Sequence, residues 1–164
     1  VGNVFKNDNF DKLNFGFNGI LMNSEANADL SNPDFAAITN KQRKLQGASD
    51  WGINADLSYD IISNEKFDTT VNLIFNTYGK RIFAVGVEGA NDIFEKPINQ
   101  LDFSWSANFN KKINVRLNIR NILNEKTLFT QDATQSIRFP ERYSNVIETF
   151  NQGTNISLNL TYKI

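Results

Sequence analysis

Apolar and polar residues alternate one for one along six stretches of the chain. Leu13, Phe15, Phe17, Gly19 and Leu21 alternate with Asn14, Gly16 and Asn18; Ile53, Ala55, Leu57 and Tyr59 alternate with Asn54, Asp56, Ser58 and Asp60. Phe67, Thr69, Val71, Leu73 and Phe75 alternate with Asp68, Thr70, Asn72, Ile74 and Asn76. The same holds for Leu101 to Phe109, Ile113 to Arg120 and Ile156 to Ile164. A period of two is the signature of a strand with two different faces. No window of similar length carries apolar residues at i, i+3, i+4 and i+7, so the chain is expected to be all-β: an antiparallel up-and-down meander of about six long strands.

The second face of each segment carries Asn, Ser, Thr, Asp and Arg rather than a scatter of Lys and Glu. One face thus suits apolar surroundings and the other a wet, hydrogen-bonding space. The segments also exceed the roughly 5–6 residues usual in globular sheets and approach the roughly 9–11 of a tilted membrane-spanning strand.

The connections alternate in length. Ile61–Lys66 and Asn110–Lys112 read as tight turns, and Ser24–Asp50, Lys80–Asn99 and Glu125–Thr154 as long loops. Short turns on one side and long loops on the other are the pattern of outer-membrane barrels, with the short turns periplasmic. By this parity the chain ends on the periplasmic side. Phe10, Tyr59, Phe67, Phe109 and Tyr162 fall at short-turn ends and Trp51 at a long-loop end, as aromatic girdles would. Pro33, Pro97 and Pro140 all fall in the long connections, where a missing N–H breaks no ladder.

Composition fits this picture and narrows the chemistry. Among 164 residues there are 14 Phe and 25 Asn, the residues of the two faces. There is no Cys and no His, which removes disulfides, zinc sites and Cys- or His-based catalysis. A net charge of −1 gives no electrostatic case for nucleic acid. No run reaches the roughly 18 apolar residues of a transmembrane helix, and the first eleven residues do not read as a signal peptide. No cofactor or metal is expected, and the chain does not read as an enzyme.

Four motifs carry a family resemblance. Arg43-Lys44-Leu45-Gln46-Gly47 followed by Trp51-Gly52-Ile53-Asn54-Ala55-Asp56-Leu57 resembles the late-barrel pattern of TonB-dependent outer-membrane receptors. Asn76-Thr77-Tyr78-Gly79-Lys80-Arg81-Ile82, then Val85-Gly86, resembles the next strand and its loop. Asn121-Ile122-Leu123-Asn124-Glu125-Lys126 is similar to the element ending the penultimate strand, and Asn155 to Ile164 resembles the terminal strand. The resemblance implies that this is the C-terminal part of a large transmembrane β-barrel, its last six strands, with the plug and earlier strands lying outside the sequence. It implies an active transporter in the Gram-negative cell outer membrane that imports a scarce nutrient of siderophore or glycan type. The implied partners are outer-membrane lipid, the barrel-assembly machinery through the terminal strand, and TonB only through the plug. The isolated chain is expected to form an open curved sheet whose first and last strands lack neighbours.

Candidate residues follow from the faces. Asn114, Arg116, Asn118 and Arg120 share one face of a strand, the lumen side in a barrel, with Asp102 as a possible carboxylate partner for the arginines. Asp56, Asp60 and Asp68 surround one turn and read as solvated charges. Lys41, Arg43 and Lys44 form a small basic cluster that is either solvated surface or a contact for lipopolysaccharide phosphates, and Lys111-Lys112 reads as a solvated turn. In the long loops Phe35, Phe129, Phe139 and Tyr143 are candidates for ligand contact or for packing loops together. Two other readings of the alternation stand: a complete small outer-membrane barrel with an adhesive or structural role, and a soluble ligand-binding calyx with its apolar face inward.

Overall fold

A computed structural model describes residues 11–29, 31–132 and 144–164. The described residues form twelve strands: β1 (Leu13–Leu21), β2 (Ala26–Asn27), β3 (Gln42–Arg43), β4 (Trp51–Ser63), β5 (Phe67–Tyr78), β6 (Arg81–Ala84), β7 (Ile93–Glu95), β8 (Ile98–Phe109), β9 (Ile113–Arg120), β10 (Thr127–Asp132), β11 (Ser144–Phe150) and β12 (Asn155–Tyr162). Among the described residues there is no α-helix, only a 3-10 turn at Pro33–Phe35. The protein is all-β with antiparallel sheets.

The six long strands pair antiparallel in chain order, β1-β4-β5-β8-β9-β12. The sheet does not close, and β1 and β12 are its edges. Cross-strand register converts the one-in-two sequence pattern into rows that run the width of the sheet. One row reads Phe15, Leu57, Leu73, Phe103, Ile119 and Ile156. The next on that face reads Leu13, Tyr59, Val71, Trp105, Leu117 and Leu158. Between them, on the opposite face, runs a row of alternating amides and hydroxyls: Asn14, Ser58, Asn72, Ser104, Asn118 and Ser157. Asn72 donates its side-chain N–H to Ser104 Oγ at 3.2 Å, and Asn118 does the same to Ser157 at 3.4 Å. A slip of one residue would bring the other face of a strand, with its Asn, Ser and Asp, into the apolar row, so each pairing constrains the next.

Almost nothing covers the apolar face. Phe17 is 64% exposed, Leu158 69% and Leu160 72%. Among the described residues only Ile82, Ala107 and Phe129 are buried apolar side chains. A monomer in water rarely leaves so large a contiguous apolar surface open.

The two tight turns form as expected, with one boundary shifted. β4 runs on through Ser63, with a bulge at Ile61, so the first turn is Asn64–Lys66 rather than Ile61–Lys66. There Asn64 Oδ1 accepts the N–H groups of Lys66 and Phe67, at 3.0 and 2.8 Å. At the second turn Asn110 and Lys111 both have positive φ, 47° and 58°, and Lys112 N–H bonds Phe109 C=O at 2.9 Å. Two left-handed central residues make the tight turn whose twist matches the flanking strands.

The long connections are not all loop, contrary to the sequence expectation. Residues 80–99 and 125–154 each carry a further hairpin, and these form a second sheet in the order β6-β7-β10-β11. This repeats the order of the strands they extend, β5-β8-β9-β12, so the β5–β8 and β9–β12 pairs continue past a break into the small sheet. Their strands are as short as three and four residues, too short to display a clear alternation in sequence. β2 and β3 pair within the first connection.

Candidate functional site

The two sheets meet where β5 and β9 leave the large sheet and β8 and β12 enter it. At Gly79 the chain passes so close to Trp51 that a Cβ would lie 2.6 Å from the indole Nε1. At Asn121–Asn124 the backbone turns through two left-handed asparagines, φ 55° and 44°, a conformation Asn tolerates better than other side chains.

Asn121 is the fixed point of that break. It is buried, its N–H bonds Asp102 Oδ1 at 2.8 Å, and its side-chain amide donates to Gly153 C=O at 3.0 Å. Its carbonyl accepts the Thr154 hydroxyl at 3.0 Å. Glu125 then holds the neighbouring strand, accepting the Asn99 backbone N–H at 2.5 Å. The Asn121–Lys126 stretch is thus a chain-redirecting staple that ties β9 to β8 and to the entry of β12.

Above the staple lies a cavity of about 340 Å³ between the polar face of the large sheet and the small sheet. Asn76, Gln100, Asn121 and Gln152 contribute amides to its lining, and Phe83, Phe129 and Phe150 contribute rings. Phe129 packs against a tilted Phe83 ring and stacks with Phe150, ring centroids 4.4 and 6.0 Å apart. Flat apolar rings facing amide groups suit an amphipathic solute.

Besides Glu148 on β11, the charged part of the cavity is a three-residue cluster. Arg81 and Glu95 stand directly opposite in the β6–β7 pair. Arg81 grips the carboxylate with Nε to Oε2 at 2.7 Å and Nη2 to Oε1 at 3.0 Å. The Tyr78 hydroxyl donates to Oε1 at 2.7 Å, and the guanidinium lies 4.5 Å over the Tyr78 ring. Burial pushes the Glu95 carboxyl up, but the bonds from Arg81 and Tyr78 outweigh it and hold it below the usual glutamate range. The hydrogen bonds to Glu95 likewise raise Arg81. A fork-to-fork pair completed by a phenol is internally neutral and rigid. It shapes the cavity, and its groups are committed to one another rather than to proton transfer.

The expected site residues are only partly brought together. Asn114, Arg116, Asn118 and Arg120 do share the polar face, with both arginines exposed. Asp102 lies on that face but pairs with neither arginine. It accepts from the Asn121 backbone and from Gln100 Nε2 at 3.2 Å, because the break after Arg120 delivers an N–H to it. Phe35 is exposed, whereas Phe129 is buried on β10 against Phe83 and Phe150 of the same small sheet instead of standing free on a loop. Phe139 and Tyr143 lie outside the described residues, as do Phe10 and Pro140. The three aspartates near the first turn separate: Asp60 accepts from Thr70 at 2.7 Å, Asp68 from Asn108 at 3.1 Å, and Asp56 stands opposite Gly16. The Tyr78–Arg81–Glu95 cluster has no sequence signature of its own, since it depends on which strand β6 pairs with.

Comparison with protein-family models, with curated proteins and with solved structures finds no significant match to the chain.

Proposed function

We propose that the protein is a portion of the wall of a large outer-membrane β-barrel, of the TonB-dependent receptor type, that imports a scarce nutrient. The observation that carries this reading is the pair of unbroken faces across six strands, apolar rows on one side and an Asn–Ser row on the other, in a sheet with two free edges. Lipid would cover the apolar face. The polar face would line the lumen, and the free edges would pair with further strands. The girdle geometry supports the same reading. Leu101 and Phe109 bound the apolar stretch of β8, eight residue steps apart, with Trp105 midway. At roughly 3.3 Å per step and a tilt of about 40° that is about 20 Å of membrane depth. Phe67, Phe109 and Tyr162 occupy the short-turn end of the face, with Phe67 and Phe109 in contact at 4.7 Å, whereas Tyr59 lies four residues short of the end of β4, in the row of Trp105. The small sheet and its cavity would then stand outside the membrane, where a nutrient first meets the wall.

The test uses the two tryptophans, one at the rim and one mid-face. The protein is reconstituted into vesicles whose acyl chains are brominated at different depths. With Trp51→Phe the remaining Trp105 is expected to be quenched best by deep bromines, and with Trp105→Phe the remaining Trp51 by shallow ones. A protein that stays monodisperse without detergent, with neither tryptophan quenched, overturns the reading in favour of a soluble calyx.

A further inference from the structure

A second cavity, of about 290 Å³, lies between the segment around β3 and the β6–β7 hairpin. Four cations line it: Arg43, Lys44, Lys80 and Arg81. Two of them are already neutralised, Lys44 by Asp50 and Arg81 by Glu95. The other two have no carboxylate partner among the described residues. Lys80 is exposed and holds its Nζ 3.6 Å over the Phe94 ring. Arg43 donates a long bond from Nη1 to Asn40 C=O at 3.4 Å, while its Nε is buried without any hydrogen-bond partner. The remaining carboxylate of the lining, Asp92, is 3% exposed, and its Oδ1 accepts the Gly86 N–H at 2.7 Å.

A buried guanidinium N–H with no acceptor is costly to maintain, because the desolvated donor recovers nothing. Here it belongs to one of two cations without a carboxylate partner that line a single cavity with room for a small solute. We infer that this cavity binds the oxyanion group of a small solute, a carboxylate or a phosphate, between Arg43 and Lys80. The planar guanidinium supplies directed N–H donors and the ammonium an adjustable point charge, a combination suited to either anion. Phe94 beneath Lys80 keeps the ammonium in place with an attraction that an arriving anion need not break. The inference rests on these side chains alone and holds whether or not the large sheet lies in a membrane.

The test is calorimetric titration of the intact protein, in non-ionic detergent at pH 7 and low salt, with inorganic phosphate and separately with succinate. One saturable site is expected for at least one anion, and the stronger of the two identifies the oxyanion. Lys80→Gln, at an exposed position that leaves the fold intact, is expected to weaken binding about tenfold. Arg43→Lys keeps the charge but removes Nε, and is expected to weaken it several-fold. Lys111→Gln, at the opposite end of the large sheet, is expected to leave it unchanged. No saturable heat with either anion, or wild-type affinity in both Lys80→Gln and Arg43→Lys, overturns the inference.

Discussion

Trp105 donates its indole N–H to Thr69 Oγ1 at 2.8 Å, across the β5–β8 pair and within the apolar face. Thr69 is almost fully buried beneath it. The contact lets a large ring sit mid-face without leaving a polar atom unpaired, the condition for a tryptophan far from water. Thr69→Val keeps the shape and removes the acceptor. It is expected to lower unfolding free energy by about 1–3 kcal/mol, read from urea unfolding followed by tryptophan emission. In the Trp105→Phe background the same change is expected to cost much less, since no donor remains to be stranded.

The face assignment makes a prediction on β12. Leu158 and Asn159 are neighbours in sequence, both exposed, on opposite faces of an edge strand. Leu158→Arg is expected to destabilise the lipid-reconstituted protein by about 2–4 kcal/mol, and Asn159→Arg by close to nothing. Equal effects in a paired unfolding titration from vesicles would contradict a lipid-facing Leu158.

The Arg81–Glu95 pair predicts a pH dependence with a defined sign. The Glu95 carboxyl titrates below its ordinary value of 4.5, so the folded state binds this proton less readily than the unfolded chain. Its stabilisation is therefore fully present above about pH 4.5 and fades as pH falls through the lower folded value. The difference in unfolding midpoint between wild type and Glu95→Gln is expected to be constant from pH 7 to 5 and to shrink below that. At neutral pH the substitution is expected to cost about 1–2 kcal/mol, less than in a fully buried pair because 35% of the Arg81 side chain remains in solvent.

Two glycines separate hard from soft packing. A Cβ on Gly86 would meet backbone atoms, Ala90 C=O at 2.1 Å and Asn91 C at 2.5 Å. A Cβ on Gly16 would meet only the end of the Asp56 side chain, Oδ1 at 2.1 Å. Gly86→Ala is expected to cost about 3 kcal/mol or more, and Gly16→Ala under about 1 kcal/mol, because Asp56 swings aside and backbone does not. Thermal melts of the two variants side by side check the order. The Gly86 variant should also perturb Asp92, whose carboxylate holds the same turn.

The parts of the fold visible in the sequence are those with a period. Phe15 to Leu21, Phe67 to Phe75 and Ile113 to Arg120 display their two faces directly, so the six strands and their chain order could be read without knowing any contact. What could not be read depends on pairing. Arg81 and Glu95 become partners only because β6 and β7 close on each other with those residues opposite. Asp102 looks like a lumen charge waiting for Arg116 or Arg120, but the left-handed turn at Asn121 brings it a backbone donor instead. Phe129 looks like a loop aromatic until β10 is seen to place it between Phe83 and Phe150. Irregular backbone and short strands leave little trace in composition, and the candidate site is built from both.

The strictly sequential strand order also sets a timetable for folding. β4–β5 and β8–β9 close over the turns Asn64–Lys66 and Asn110–Lys112, whereas β1–β4, β5–β8 and β9–β12 must bridge connections of nineteen or more residues. Short closures are fast and long ones slow, so two hairpins are expected to form first and independently. The β5–β8 zipper, enclosing 79–97, then joins them, and β1 and β12 arrive last. The strands with the most exposed apolar residues are thereby the last to leave the unfolded chain.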